Sequence, residues 1–167
     1  MPSGIEALHL LVVDDNDQMR TIIGSVLTGA GVRDIHYAPD GRKGLQVLAS
    51  KNIDVVYVDY EMPIMNGLEF LSALRSSSKP YRFTPVIMLT GHSDRYRLNA
   101  ARDRGVNEFL CKPVSARSII ERLSAVIYHP RPFVECATFF GPDRRRKTLE
   151  AYEGPRRRHD DEPAVDV

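Results

Sequence analysis

Asp14 and Asp15, Asp59, Thr90 and Lys112 share one feature. Each stands where a short apolar run stops, the runs being His9–Val13, Asp54–Val58, Pro85–Leu89 and Glu108–Cys111 in turn. Three carboxylates brought together repel one another and call for a hard cation between them. Mg²⁺ suits such a site, because it takes oxygen ligands and keeps several of its waters. A carboxylate beside that cation can attack phosphorus and hold the group as an acyl phosphate. The Lys112 ammonium would neutralise charge on the transferring group, and the Thr90 hydroxyl would donate to a phosphoryl oxygen. Taken singly, these residues have plainer readings: Asp14-Asp15 as a solvated helix cap, Thr90 as a strand-end hydroxyl, Lys112 as a surface lysine. Asp59 is more telling, since an unpaired carboxylate at the end of an apolar strand is costly to bury. Joint occurrence at four strand ends outweighs the separate plain readings.

Those ends must be set side by side, and the periodicity of the chain supplies the means. Short β-branched runs at 9–14, 34–38, 54–59, 85–90 and 108–111 alternate with segments of helical period at 17–28, 41–50, 67–76, 93–104 and from Ser115 onward. In the first helix, Met19, Ile22, Ile23, Val26 and Leu27 are assigned to one face, and Gly29 and Gly31 follow as stop signals. Ser115 is placed to cap the last helix. Near-continuous apolar strands fit a sheet covered on both sides. Five strand–helix units therefore predict an α/β, flavodoxin-like doubly wound five-stranded parallel sheet with helices on both faces. A six-stranded Rossmann order is the alternative. In either, ligands sit beyond the C-terminal strand ends.

Four blocks, Val12-Val-Asp-Asp-Asn16, Asp59-Tyr-Glu-Met-Pro-Ile-Met-Asn-Gly67, Met88-Leu-Thr90 and Cys111-Lys-Pro113, resemble in order and spacing the signatures of response-regulator receiver domains of the chemotaxis-regulator type. The resemblance covers roughly residues 7–129. It implies that Asp59 is the phosphoacceptor, that Asp14 and Asp15 are the acidic pair for Mg²⁺, and that the backbone carbonyl of Glu61 is a further ligand. It also implies Thr90 as the switch hydroxyl, Lys112 as the site lysine and Phe109 as the aromatic switch, where a phenylalanine keeps ring rotation but lacks a phenolic hydrogen bond. Glu61 and His92 either flank the phosphoryl group or are solvated loop residues. Such a protein takes its phosphoryl group from a sensor histidine kinase or a histidine phosphotransfer protein and passes a signal to a downstream protein target. It catalyses its own phosphorylation and dephosphorylation rather than turning over a substrate.

Composition bounds the rest. With 23 basic and 22 acidic residues the formal net charge is +1, so nothing at the whole-chain level points to nucleic acid or a membrane surface. No apolar run is long enough for a signal peptide or a membrane span, and two cysteines make no disulfide framework, so a soluble cytoplasmic protein is expected. Cys111 is expected to be a buried, inert thiol, and Arg95, Arg97, Arg102 and Arg104 a solvated basic face. The organisation expected is a receiver domain over residues 1–129 and a tail over 130–167. Phe133, Val134, Phe139 and Phe140 should fold the proximal tail back onto the receiver or a partner, with the charged distal part disordered. The tail lacks the helical period of a conventional DNA-binding output domain. A flavin carrier would need Gly, Ser and Thr donors where Asp14-Asp15-Asn16-Asp17 stands. An aspartyl phosphatase would more usually carry a second aspartate at position 61.

Overall fold

The computed structural model describes residues 4–91 and 95–145. The apolar runs become β1 (His9–Val13), β2 (Asp34–Ala38), β3 (Val55–Asp59), β4 (Val86–Thr90) and β5 (Glu108–Cys111). Between and after them lie α1 (Asp17–Gly29), α2 (Gly41–Ser50), α3 (Gly67–Ser76), α4 (Arg95–Asp103) and α5 (Ala116–Tyr128). All pairings among these five strands are parallel, in the order β2-β1-β3-β4-β5. This is the five-stranded doubly wound sheet, and the Rossmann order is excluded. Among the described residues no helix is long and apolar enough to cross a membrane.

The period of two along each strand divides the core. Leu10, Val12 and Tyr57 face a layer containing Ile23, Leu27, Ile119 and Leu123 of α1 and α5, whereas Leu11, Val13, Val56 and Val58 face Phe70, Leu71 and Leu74 of α3. Tyr57 is wholly buried, and its hydroxyl is satisfied by donating to the Ile119 carbonyl at 2.9 Å. Four helices begin on side-chain caps: the oxygens of Asn16, Asp40, Asn66 and Ser115 accept from the backbone N–H of Met19, Lys43, Glu69 and Ser118. Each such cap contributes about 1 kcal/mol.

Two expectations are corrected. Ile22 is 47% exposed, because the buried face of α1 is the narrower one through Ile23, Gly24 and Leu27. Cys111 is exposed rather than buried. Its strand is the sheet's outer edge, and Cys111 ends it, so the cover that buries central strands does not reach it.

Beyond α5 the chain turns back as an antiparallel hairpin of β6 (Phe133–Cys136) and β7 (Phe139–Pro142). It is held at the N-terminal edge of β4 and β5, away from the strand ends that carry Asp59 and Thr90. Phe133 and Phe140 pack against each other and against Phe83, with ring centroids 5.3–5.4 Å apart. Beneath them Arg75 is buried, with no carboxylate partner among the described residues. It donates instead to the carbonyls of Gly105, Arg82 and Thr84 and to Asn107 Oδ1, at 2.7–2.9 Å. Burial pushes its guanidinium down to about 9, so it remains charged at neutral pH. The Phe133 ring lies 4.8 Å from this cation, and the Phe140 ring 3.6 Å from that of Arg82. Arg131 donates to the Asn107 carbonyl and Arg144 pairs with Asp103 at 2.9 Å. The described part of the tail thus folds back on the receiver, against the N-terminal ends of β4 and β5 and, through Arg144, against the last residue of α4. Residues 146–167, for which disorder is expected, lie outside the described residues.

Because Phe140 is half-buried between a ring and a cation, Phe140→Ala should lower unfolding stability by about 1–3 kcal/mol. Urea denaturation of the two proteins measures this, and unchanged midpoints would show that the hairpin clasp contributes no stability.

Candidate functional site

Strand order reverses between β1 and β3, and a crevice opens there beyond their C-terminal ends. Asp14 and Asp15 follow β1 and Asp59 ends β3, so the reversal brings all three into that crevice. One carboxylate oxygen from each lies within 4.8 Å of the other two. Asp14 and Asp59 are buried and Asp15 is exposed. Asp14 Oδ1 accepts the Asn16 backbone N–H at 2.9 Å, but Asp14 Oδ2 is buried with no hydrogen-bond partner among the described residues. Burial, aided by the nearby Asp59 charge, pushes the Asp14 carboxyl up to about 6. Burial also raises the Asp59 carboxyl, with Lys112 opposing the shift. A buried acceptor left unsatisfied inside an all-oxygen donor set fits a hard divalent cation and no softer metal.

Lys112 follows β5 and reaches across the crevice, its Nζ 3.0 Å from Asp59 Oδ1. Its backbone N–H donates to the Thr90 carbonyl at 2.9 Å, which ties the ends of β4 and β5 together. The Lys112–Pro113 peptide is cis. Thr90 is buried at the end of β4. Phe109 is half-buried, paired in register with Met88 and packed on the core face that contains Phe70. Gly67 opens α3 directly behind the acceptor strand: a side chain there would collide with the Asp59 carbonyl oxygen. The fold therefore brings together Asp14, Asp15, Asp59 and Lys112, with Thr90 at the adjacent strand end. His92 lies outside the described residues.

Two arginines at the site escape a reading of motifs alone. Arg20, on the first turns of α1, donates to the Asp14 carbonyl at 2.5 Å and pairs with Asp17. Arg97, on α4, pairs with Glu61 at 2.6 Å and stands 4.9 Å above the Tyr60 ring. The helical period offers a hint for Arg20, which is four residues beyond Asn16 on the cap's own helix. Arg97 has no such signal, since its contact depends on how α4 crosses the sheet.

The profile of the family described as "Response regulator receiver domain" matches residues 10–124. The chain is 33% identical over 119 residues to the chemotaxis protein CheY of Pseudomonas aeruginosa, a match covering 71% of this chain and 95% of that one. It is 34% identical over 121 residues to the chemotaxis protein CheY1 of Helicobacter pylori, covering 72% and 97%. The CAI-1 autoinducer sensor kinase/phosphatase CqsS of Vibrio cholerae shares 34% identity over 117 residues, which is 70% of this chain but only 17% of that protein. The structure of the chemotaxis protein CheY4 of Vibrio cholerae superposes with a TM-score of 0.68 at 32% identity, covering 72% of this chain and 98% of that one. With that match laid over the acidic crevice, the 2-1-3-4-5 sheet and the lysine on Asp59, this chain belongs to the response regulator receiver domain family of two-component signalling.

Proposed function

We propose that Asp59 accepts a phosphoryl group from the histidine of a sensor histidine kinase or a histidine phosphotransfer protein. The observation that carries this reading is the buried Asp59 carboxylate with Lys112 at 3.0 Å, inside a cluster of three acids whose Asp14 Oδ2 has no hydrogen-bond partner among the described residues. Asp14, Asp15, Asp59 and the Glu61 backbone carbonyl are the groups that would hold Mg²⁺, which when bound neutralises the crowded negative charge. An Asp59 oxygen forms the new P–O bond as the P–N bond to the donor imidazole breaks, and the electron pair leaves on the ring nitrogen. Lys112 is already on the acceptor side to stabilise the added charge, and the Thr90 hydroxyl supplies a donor to a phosphoryl oxygen. The same hydroxyl and the half-buried Phe109 ring form the switch. Once Thr90 is drawn to the phosphoryl group, Phe109 gains room to turn inward, altering the surface of α4, β5 and α5 for a downstream protein. The receiver unit spans residues 1–129 and the tail 130–167, a division supported by the end of the family match at residue 124 and of α5 at Tyr128. We place its activity in the cytoplasm, where exposed Cys111 and Cys136 remain thiols.

Labelling tests the acceptor. Phosphoramidate with Mg²⁺ should phosphorylate the wild type, Asp59→Asn should not label, and Asp15→Ala should need more Mg²⁺ for half-maximal labelling. Undiminished labelling of Asp59→Asn would overturn the assignment.

Acid should stabilise the metal-free protein. The folded Asp14 takes a proton near pH 6 whereas the unfolded side chain does so near the ordinary aspartate value of 3.8, so the folded state binds more protons between those values. Lowering the pH from 7.5 to 5.5 should add about 1 kcal/mol, or a few degrees in Tm. Saturating Mg²⁺ should remove the rise, as should Asp14→Asn. A metal-free Tm that falls over this interval would contradict the burial of Asp14 as a charged group.

Beryllofluoride reports on the switch. Its addition with Mg²⁺ should shift amide resonances in Arg95–Asp103 of the wild type, and Thr90→Ala should confine the shifts to the acidic crevice. Equal spread in both proteins would exclude Thr90 as the relay.

A further inference from the structure

Beside the acidic crevice runs a groove of about 520 Å³ that shares Asp15 with it and is otherwise lined by residues such as Tyr60, Glu61, Pro63 and Arg97. Its two charged walls face each other. Glu61 lies two residues past the acceptor, on the loop between β3 and α3, and Arg97 comes from α4. Their ion pair closes at 2.6 Å, while the guanidinium lies over the Tyr60 ring at 4.9 Å. Glu61 is 64% exposed and Arg97 only 28% exposed. The arginine is thus the seated partner and the glutamate the one brought to it. A planar guanidinium can pair and stack at once, which a lysine ammonium does less well.

Exposed pairs of this kind add little to stability. Their position is what matters here. Asp14, Asp15 and Asp59 already crowd the crevice with negative charge, and the incoming phosphoryl group is anionic too. A fourth carboxylate, unneutralised at the mouth, would repel that group before it reached Asp59. Such a field acts on the rate of approach and is screened by salt.

We infer that Arg97 is a positioning residue for phosphoryl transfer, which holds the Glu61 carboxylate against α4, neutralised and out of the path of the incoming phosphoryl group. This rests on Asp59 being the acceptor. Arg97 does its work through Glu61, not by touching the donor. The pair also ties α4 to the acceptor loop by a route separate from Thr90 and Phe109.

A double-mutant cycle with phosphoramidate as the donor, at saturating Mg²⁺, tests it. At low ionic strength Arg97→Ala should slow labelling of Asp59 by about fivefold, and 0.5 M salt should shrink the deficit toward about twofold or less. Glu61→Gln should label at least as fast as wild type, and Arg97→Ala combined with Glu61→Gln should label at the rate of Glu61→Gln alone. Arg97→Lys should fall between wild type and Arg97→Ala. In metal-free protein, Arg97→Ala should also shift the Tyr60 ring-proton resonances while leaving those of Tyr57 in place. Wild-type labelling by Arg97→Ala would overturn the proposal. So would a full deficit that persists in the Glu61→Gln background, since Arg97 would then act by a route other than Glu61. Either result leaves the acceptor reading intact, because that reading fails only if Asp59→Asn still labels.

Discussion

Three carboxylates held at one edge of a sheet that is dry on both faces are unfavourable unless something offsets their charge. Most of the structure around the crevice answers that one difficulty. Asp14 and Asp59 are buried, so both carboxyls are pushed upward, and Asp14 keeps one oxygen with no hydrogen-bond partner among the described residues. The Asn16 N–H and the Arg20 guanidinium at the start of α1, and the Lys112 ammonium after β5, supply positive potential from two sides. None of them relieves Asp14 Oδ2. Buried acids of this kind are kept because they bind what water cannot supply in place, a divalent cation and then a phosphoryl group.

Rigidity at the crevice comes from the strands and from the turns that leave them. Near-continuous apolar strands cannot slip without losing both core layers at once, and this fixes where Asp14, Asp59 and Thr90 end up. Gly67 lets α3 begin in contact with the Asp59 carbonyl, while the Asn66–Glu69 capping box sets the entry of that helix. The acceptor is therefore held from behind as well as along its own strand. The two features expected to move, Thr90 and Phe109, lie on adjacent strands, Thr90 buried at the end of β4 and Phe109 half-buried on the edge strand β5.

The opposite edge of the sheet is organised around another charge taken out of water. Arg75 spreads its donors over three carbonyls and an amide oxygen, which joins the ends of α3, β4 and β5. The hairpin then covers that cation with an aromatic ring. Breaking such a network leaves buried donors unsatisfied and so costs more than making it gains. The described part of the tail is clasped there and meets α4 at the helix's last residue, where Arg144 pairs with Asp103.

Several features were legible in the chain itself. Short apolar runs and a period of 3.6 marked the strands and helices, and the residue types at four strand ends identified the oxygen-rich site. Ser115 was readable as a cap, and the phenylalanines after Pro130 as a segment that needed cover. These depend on local pattern, which a linear sequence carries in full. Other features depend on which surfaces meet. The exposure of Cys111 follows from β5 being an edge strand, and the exposure of Ile22 from the narrow contact of α1 with the sheet. The hairpin's seat on Arg75 and Arg82 required both arginines to be brought together by α3 and the turn Pro80–Phe83. The pairing of Glu61 with Arg97 joins residues 36 apart in the chain. No spacing rule connects a loop after one strand to a helix after the next, so packing of α4 against the sheet decided that contact, as it decided the hairpin's place.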